Sequence, residues 1–321
     1  MRTITCLVVF TLIFSSLSAQ NIKDTAFSES EITLKTPTGT IFGTLTVPKN
    51  TTTSPIVLII AGSGPTDRNG NAGMGLQTNA YKMVAEGFAQ NGISSLRFDK
   101  RGIGKSQAAM TSESELRFET YTKDAVAWIS MLKADKRFSE VIVMGHSEGS
   151  LIGMIAAGQA NAGGFISVSG PGKSADKILQ EQLKTQLPPQ LMMESNKILE
   201  SLKQGKTVAE VNASLAPIYR PSVQPYMISW MKYDPAKEIK KLKIPVLIVQ
   251  GNTDLQVSVN DAKLLSASRP DAKLVIVDNM NHILKESVAA VNVNMGTYQN
   301  ANLPLKSELI DILVNFIKIR K

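Results

Sequence analysis

Apolar residues along the chain follow two patterns that alternate. Short runs that are apolar at nearly every position and rich in β-branched residues are typical of strands buried on both faces of a sheet. Between several runs, apolar residues recur at helical spacing, as in Tyr121, Ala125, Trp128 and Leu132. This alternation predicts an α/β fold with a mainly parallel, doubly wound sheet. The strand-like runs are PIVLII at 55–60, ISSLRF at 93–98, EVIVM at 140–144, FISVS at 165–169, IPVLIVQ at 244–250 and KLVIVD at 273–278.

Two regions at the ends of the pattern add further elements. Residues 31–48 alternate between apolar and polar side chains on both sides of Thr38-Gly39, which predicts a β-hairpin that ends at Pro48. The last segment has helical spacing. Its apolar residues are Leu305, Leu309, Ile312, Leu313 and Phe316.

The interval 172–243 breaks the alternation, because it is too long for a simple crossover loop. Its apolar residues recur at helical spacing, so we predict a helical lid over 172–243, with Pro188-Pro189 and Pro217 separating its helices. The core of the fold then has two parts, 21–171 and 244–321. The apolar residues of the predicted lid helices are Ile178, Leu179, Leu183, Ile198, Leu199, Leu202, Tyr226, Met227, Trp230 and Met231.

Residues 1–20 have the three-part layout of a secretory signal peptide, with Arg2, an apolar stretch from Leu7 to Phe14, and small residues at the end. We therefore expect a secreted or periplasmic protein. Cys6 is the only cysteine and lies in this segment, which excludes disulfides, thiolate metal sites and a cysteine nucleophile from the mature chain. No later apolar run is long enough to predict a membrane span.

Composition and charge narrow the function further. A hydrophobic content of 43% is ample for one large domain with an insertion. The formal net charge is +8, and the densest basic run is KEIKKLK at 237–243. Because no aromatic residue lies within it, this run indicates a solvated helix face and no nucleic-acid partner.

The pentapeptide GHSEG at 145–149 is the strongest chemical signal. A buried strand is predicted before it and a buried helix after it, which is the setting of a nucleophile elbow. The glycines would permit a very tight turn, and the helix would direct its N-terminal N–H groups towards developing negative charge. Ser147 is therefore the candidate nucleophile; the alternative is a structural turn that happens to contain a serine.

A serine nucleophile needs a base, which is most often histidine. The chain has two histidines. His146 adjoins Ser147, and neighbouring side chains in such a turn diverge, so we expect it to be a spectator. His282 follows the last strand-like run and is the candidate base.

The histidine in turn needs a carboxylate that fixes its tautomer. Asp254 follows the strand-like run at 244–250, directly before the run that precedes His282. Asp278 is the competitor, although four residues before the histidine it is expected to make local hydrogen bonds. We predict the order Ser147, Asp254, His282, as in nucleophile-elbow enzymes.

Together with the elbow, three further segments resemble the α/β-hydrolase superfamily, in a secreted or intracellular esterase-like branch. They are LIIAGSGPTDRNGN at 58–71, RFDKRGIGKS at 97–106 and the pair QGNTDLQV at 250–257 with MNH at 280–282. The resemblance implies an eight-stranded, mostly parallel sheet, a lid after the sixth strand, and ester hydrolysis without a cofactor or metal. The expected partner is a small-molecule ester.

The same resemblance assigns the oxyanion hole to the backbone N–H groups of Glu148 and Ser63. Ala61-Gly62 replaces the commoner His-Gly sequence, so Gly64 remains an alternative second donor. Polar residues at 67–69 are expected to hold their loop, and Asp99 and Arg101 are expected to form an ion pair.

Carboxylic ester hydrolysis is the leading hypothesis, and the methionine-rich, aromatic-poor lid favours small or medium esters. A serine peptidase and an acyl transferase share the fold and remain alternatives. A catalytically inactive hydrolase fold used for binding is a third hypothesis.

Overall fold

A computed structural model describes residues 26–49, 51–73 and 75–319, so the predicted signal peptide lies outside the described residues. In this part of the chain, one sheet of eight strands has the order β1-β2-β4-β3-β5-β6-β7-β8. The strands are β1 Phe27–Thr36, β2 Gly39–Pro48, β3 Ser54–Ile60, β4 Ser94–Phe98, β5 Phe138–His146, β6 Gly164–Val168, β7 Val246–Gly251 and β8 Lys273–Val277.

Strand directions agree with the prediction. The hairpin β1–β2 is antiparallel, as is the β2–β4 pair, whereas β4, β3, β5, β6, β7 and β8 pair in parallel. The chain passes from β3 to β4 on one side and then to β5 on the other. Loops that leave the carboxyl ends of β3 and β5 therefore open at a topological switch point, where α/β sheets bind their ligands.

Helices cover both faces of the sheet, which explains why the central strands are apolar at consecutive positions. Ile56, Leu58 and Ile60 of β3 belong to one hydrophobic cluster, while Val57 and Ile59 belong to the cluster on the opposite face. The helices are α1 Ala80–Gln90, α2 Phe118–Ala134, α3 Glu148–Gln159, α4 Ala175–Lys184, α5 Pro189–Lys203, α6 Ala216–Tyr219, α7 Gln224–Trp230, α8 Pro235–Lys241, α9 Val259–Ser268, α10 Val291–Gly296 and α11 Leu309–Ile319.

The end of the chain differs from the predicted helix in one respect. Helix α11 begins at Leu309, so Leu305 precedes it and instead forms an isolated β-bridge with Lys285. Leu305 still packs against the hydrophobic cluster that contains Leu309. Its spacing with Leu309 therefore arises from a shared core and not from a shared helix.

Helices α4 to α8 lie between β6 and β7, where the insertion was predicted. Residues of α4 to α7 form a hydrophobic cluster of their own, which includes Leu183, Leu199 and Met227. Pro188 lies between α4 and α5 as predicted, whereas Pro189 and Pro217 lie in the first turns of α5 and α6, where proline is tolerated.

Helix α8 carries most of the basic run at 237–243. Ile239 is buried in the cluster beneath the sheet, and the four lysines of the run are exposed. Among the residues that the structure describes, no helix has the length and apolar character that crossing a membrane requires.

Candidate active site

Ser147 joins strand β5 to helix α3 in an unusual backbone conformation. Its φ is 54° and its ψ is −125°, a region that residues other than glycine rarely occupy. Such strain persists only where the surrounding structure imposes it, and it clusters at functional sites. Here the Ser147 N–H donates to the Val168 carbonyl at 3.0 Å, and its carbonyl accepts from Ser150 N–H at 2.9 Å.

The two glycines of the pentapeptide are required by crowding. A Cβ atom on Gly145 would lie 2.1 Å from the carbonyl oxygen of Gly149. A Cβ atom on Gly149 would lie 2.4 Å from the carbonyl oxygen of Ile60 in β3. The tight turn therefore has room for a side chain at Ser147 but not at either glycine.

The loops after β7 and β8 bring Asp254 and His282 together. Asp254 Oδ2 accepts from His282 Nδ1 at 2.8 Å, and both side chains are buried. Asp254 Oδ1 accepts from the backbone N–H groups of Gln256 and Val257 at 2.8 and 2.9 Å. The competitor Asp278 instead accepts from an asparagine side chain at the surface.

The charge of Asp254 is stabilised within the site. Burial acts to raise the pKa of its carboxyl group, but the charge and hydrogen bond of His282 and the backbone donors outweigh burial and lower that pKa. Asp254 is therefore ionised and accepts hydrogen bonds only. The proton on the His282 ring is then held at Nδ1, which leaves Nε2 able to act as a base.

Two cavities meet at Ser147. The small chamber, about 90 Å³, is lined by Ser63, Ser147 and His282, with Ile283 and Leu284. The large chamber, about 450 Å³, is also lined by Ser63 and Ser147 but is walled by apolar residues of the inserted helices. The structure thus places the predicted nucleophile, base and Ser63 around one space.

The loop after β3 passes directly against the serine. A Cβ atom on Gly62 would lie 3.0 Å from Ser147 Cβ, so glycine permits this approach. The Gly62 N–H donates to the Tyr81 hydroxyl at 3.2 Å, and the Gly62 carbonyl accepts from Lys100 Nζ at 2.6 Å. Because both its N–H and its carbonyl are hydrogen-bonded, the backbone of Gly62 is fixed next to Ser63.

The predicted oxyanion donors lie on either side of this space. Glu148 is the first residue of α3, so its N–H has no acceptor within the helix. Ser63 lines both chambers, whereas Gly64 lines the large chamber and not the small one. This placement favours Ser63 over Gly64 as the second donor, an assignment that stays a prediction.

His146 has a structural role that the sequence reasoning missed. Its Nε2 donates to the backbone carbonyl of His282 at 2.8 Å, and its Nδ1 accepts from the Tyr81 hydroxyl at 2.8 Å. Burial, reinforced by the neighbouring His282 ring, lowers the pKa of His146 to about 3. A neutral His146 thus connects the loop of the candidate base to α1. Its partners are 65 and 136 residues away, so local sequence carries no signal of them.

We expect His146→Phe to lower kcat for ester hydrolysis by about 10- to 100-fold, because His282 loses a buried backbone contact and shifts. The pH profile of the remaining activity should keep its position, since His146 is neutral at any working pH. Steady-state kinetics from pH 5 to 9 measure both quantities. Tyr81→Phe removes the hydroxyl that donates to His146 Nδ1 and accepts from Gly62 N–H, so it should lower kcat as well. An unchanged kcat in His146→Phe contradicts the role.

Lys100, Glu148 and Tyr226 form a buried polar cluster beside the elbow. Lys100 Nζ lies 3.2 Å from Glu148 Oε2, and the Tyr226 hydroxyl donates to Glu148 Oε1 at 2.7 Å. Burial and the charge of Glu148 raise the pKa of Tyr226 well above its usual value, so its hydroxyl remains a donor. Helical spacing alone predicted Tyr226 only as an apolar lid residue. The structure shows that it links α7 to the residue after the candidate nucleophile.

Tyr226→Phe is expected to lower kcat about tenfold, because Glu148 loses a charge-assisted hydrogen bond and its amide is held less firmly. Kinetics on a soluble ester should show the change in kcat more than in KM. Tyr233→Phe is the matched control, since the Tyr233 hydroxyl donates to Glu119 outside both chambers. Equal kinetics in the two variants would contradict a role for Tyr226.

The predicted ion pair between Asp99 and Arg101 is wrong. Asp99 pairs with Arg68 at 2.7 Å, and Arg101 pairs with Asp124 of α2 at 2.5 Å. The two side chains point to different elements. Asp99 contacts the loop after β3, and Arg101 contacts helix α2. Asp67 Oδ1 accepts two backbone N–H groups of its own loop, which agrees with the expected loop-holding role.

Lys285 lies fully buried at the end of the His282 loop. Its ammonium donates to the Leu303 carbonyl and contacts Met83 Sδ at 2.9 Å. Burial lowers the pKa of Lys285 from 10.5 to about 8. The folded chain therefore releases this proton more readily than the unfolded chain does.

Because the unfolded state binds more protons between pH 8 and 10.5, Lys285 should make the free energy of unfolding rise with pH in that window. Lys285→Met should remove this rise and increase stability below pH 8. Urea unfolding at several pH values measures both effects. Lys306→Met, which removes an ammonium paired with Glu286 and Glu308, should retain the rise; a rise that persists in Lys285→Met would contradict the assignment.

The chain is similar to known proteins over most of its length. Residues 71–287, more than half of the chain, match the protein family described as serine aminopeptidase, S33. Esterase EstD from Thermotoga maritima is 28% identical over 274 residues, which cover 81% of this chain and 60% of that protein. The chain thus spans less than two thirds of the length of this curated relative.

Solved structures show the same fold. The structure of ferulic acid bound to Est1E from Butyrivibrio proteoclasticus is similar with a TM-score of 0.58 and 18% identity, over 84% of this chain and 96% of that one. The α/β hydrolase GrgF from Penicillium sp. sh18 is similar with a TM-score of 0.60 and 16% identity, over 91% and 99%. The predicted α/β-hydrolase fold is therefore confirmed.

Proposed function

The chain belongs to the serine aminopeptidase S33 family, and within that family we propose that it is a serine hydrolase that cleaves carboxylic esters. One observation carries the proposal. Ser147, held in a strained turn, shares a small cavity with His282, whose other ring nitrogen is bound by the buried carboxylate of Asp254. This is the arrangement of a nucleophile, a base and a group that orients the base.

The reaction has two steps. Ser147 Oγ bonds to the ester carbonyl carbon while His282 Nε2 takes the hydroxyl proton, and the Ser63 and Glu148 amides stabilise the oxyanion. The C–O bond to the alcohol then breaks, and His282 returns the proton to the leaving oxygen. Water adds to the acyl-enzyme in the same way; the acid leaves, and Ser147 regains its proton.

Esters are favoured over peptides with a free amino terminus by the charges around the site. An aminopeptidase must bind an ammonium group, and a buried ammonium requires an acidic partner. Of the described residues that line the two chambers, Glu148 is the only acidic one. Its two oxygens are already bound by Lys100 and Tyr226. The description of the family nevertheless makes an aminopeptidase the second candidate.

A labelling and turnover experiment separates the candidates. A fluorophosphonate probe should label the protein at Ser147, located by peptide mapping, and methyl esters should be hydrolysed faster than aminoacyl p-nitroanilides. Absence of label at Ser147 would end the nucleophile assignment. Faster turnover of the anilides would make the aminopeptidase the better description.

The proposal includes export from the cytoplasm. Residues 1–20 supply its support, because their charge, apolar stretch and small residues follow the order of a signal peptide. We expect the protein from a secreting bacterial host to begin near Gln20 or Asn21. Amino-terminal sequencing of the periplasmic and medium fractions tests this; a full-length chain confined to the cytosol would contradict it.

A further inference from the structure

The two chambers at Ser147 differ about fivefold in volume, at about 90 and 450 Å³. A cavity of about 150 Å³ accommodates benzene, with its six carbons. On that scale the small chamber holds roughly three or four non-hydrogen atoms, and the large chamber holds more than a dozen. Because Ser147 lines both chambers, an ester bound there can place one of its halves in each.

The base decides which half lies where. When the ester bond breaks, His282 Nε2 gives its proton to the alcohol oxygen, so the alcohol must lie on the side of the histidine. His282 and its neighbours Ile283 and Leu284 line the small chamber and not the large one. The small chamber is therefore on the alcohol side of the scissile bond.

The large chamber suits an apolar acid. It is walled mainly by hydrophobic side chains of the inserted segment. Among the lining residues that the structure describes, Arg220 is the one cation, and it is paired with Glu113 at 2.8 Å. Burying apolar surface there stabilises a long chain by a similar amount for each methylene. The apolar residues contributed by the inserted segment between β6 and β7 are Ile178, Leu179, Ile218, Val223, Met227 and Trp230.

We propose, resting on the ester hydrolysis proposed above, that the substrates are esters of short alcohols of about one to three carbons with longer apolar acids. Ser147 is acylated with the acyl chain lying in the large chamber. The alcohol leaves from the small chamber after His282 has given its proton to the alcohol oxygen. Products are a short alcohol and a medium-chain carboxylic acid, within the range of small or medium esters that the composition of the lid favours.

A two-way series of esters tests the proposal. Among methyl esters, kcat/KM should rise about three- to fourfold for each methylene from acetate to octanoate. Among octanoates, lengthening the alcohol from ethyl to hexyl should lower kcat/KM at least tenfold. Faster turnover of hexyl acetate than of ethyl octanoate, or equal turnover, would overturn the assignment of the chambers. Loss of all ester turnover together with absence of fluorophosphonate label at Ser147 would instead refute the proposed function.

Substitutions in the wall of each chamber test the roles of the two chambers separately. Leu179→Trp should lower the octanoate-to-acetate ratio of kcat/KM for methyl esters at least tenfold. Leu76→Ala, in the wall of the small chamber, should raise the butyl-to-methyl ratio for octanoates at least fivefold. Leu264→Trp on the exposed surface of α9 is the matched control and should leave both ratios unchanged. An effect of Leu179→Trp on the alcohol series alone would overturn the proposal.

Discussion

Replacing Ser147 with alanine should lower kcat for ester hydrolysis by roughly 10⁴- to 10⁶-fold. Alanine lacks the oxygen that forms the acyl-enzyme, so only the stabilisation of the oxyanion and substrate binding remain. The backbone at position 147 stays strained in the variant, because alanine has the same Cβ atom as serine. Active-site titration with a fluorophosphonate and steady-state kinetics measure the loss.

Ser150→Ala is the matched control for this variant. Ser150 lies one turn further along α3, and its hydroxyl shares a buried hydrogen bond with Ser167 at 2.8 Å. Its loss should lower stability by about 1 kcal/mol and leave most of the activity. Activity in Ser147→Ala within tenfold of wild type, in a variant that melts like wild type, would show that another residue is the nucleophile.

The second large effect is expected from Asp254→Asn, which should lower kcat by about 10⁴-fold. The backbone amides of Gln256 and Val257 both donate to Oδ1, so the asparagine oxygen should occupy that position. The side-chain NH₂ then replaces Oδ2, which now accepts from His282 Nδ1 at 2.8 Å and from Gln250 Nε2 at 3.1 Å, and it faces the ring nitrogen of His282. Because that nitrogen must accept, the ring proton moves to Nε2, and the base can no longer take a proton from Ser147.

Asp278→Asn tests the specificity of this effect. Asp278 is four residues before His282 but accepts a surface hydrogen bond from Asn252. The variant should therefore keep wild-type kcat across the pH range. A loss confined to Asp278→Asn, with Asp254→Asn fully active, would reverse the choice of carboxylate.

Much of the fold could be predicted because the hydrophobic pattern of each segment matches the burial of that segment in the folded sheet. Each continuous apolar run became a strand. The first five of these strands are largely buried, the last is the half-buried edge strand β8, and the alternating segment around Gly39 became the hairpin at the other edge. The helix that should include Leu305 begins later, since helical spacing does not distinguish a residue in a helix from one packed beside it.

Candidate site residues were predictable where few choices existed. The chain has two histidines, so His282 was the remaining candidate base once His146 was excluded. Asp254 was indicated because it follows the strand directly before the one that precedes His282. The contacts that support these residues could not be found this way. Lys100 and Tyr226, which contact Glu148, are 48 and 78 residues away from it in the chain. Asp99 forms its ion pair with Arg68, although Arg101 is nearer in sequence.

The backbone of Ser147 has a consequence for how this protein responds to engineering. A residue other than glycine at such φ and ψ angles costs on the order of 1–3 kcal/mol. Glycine would recover much of that free energy, and a variant library ranked only by heat resistance should therefore enrich Ser147→Gly. Thermostabilisation of this chain has to be scored on turnover as well, because one position where stability can be gained is the one whose hydroxyl is proposed to do the chemistry.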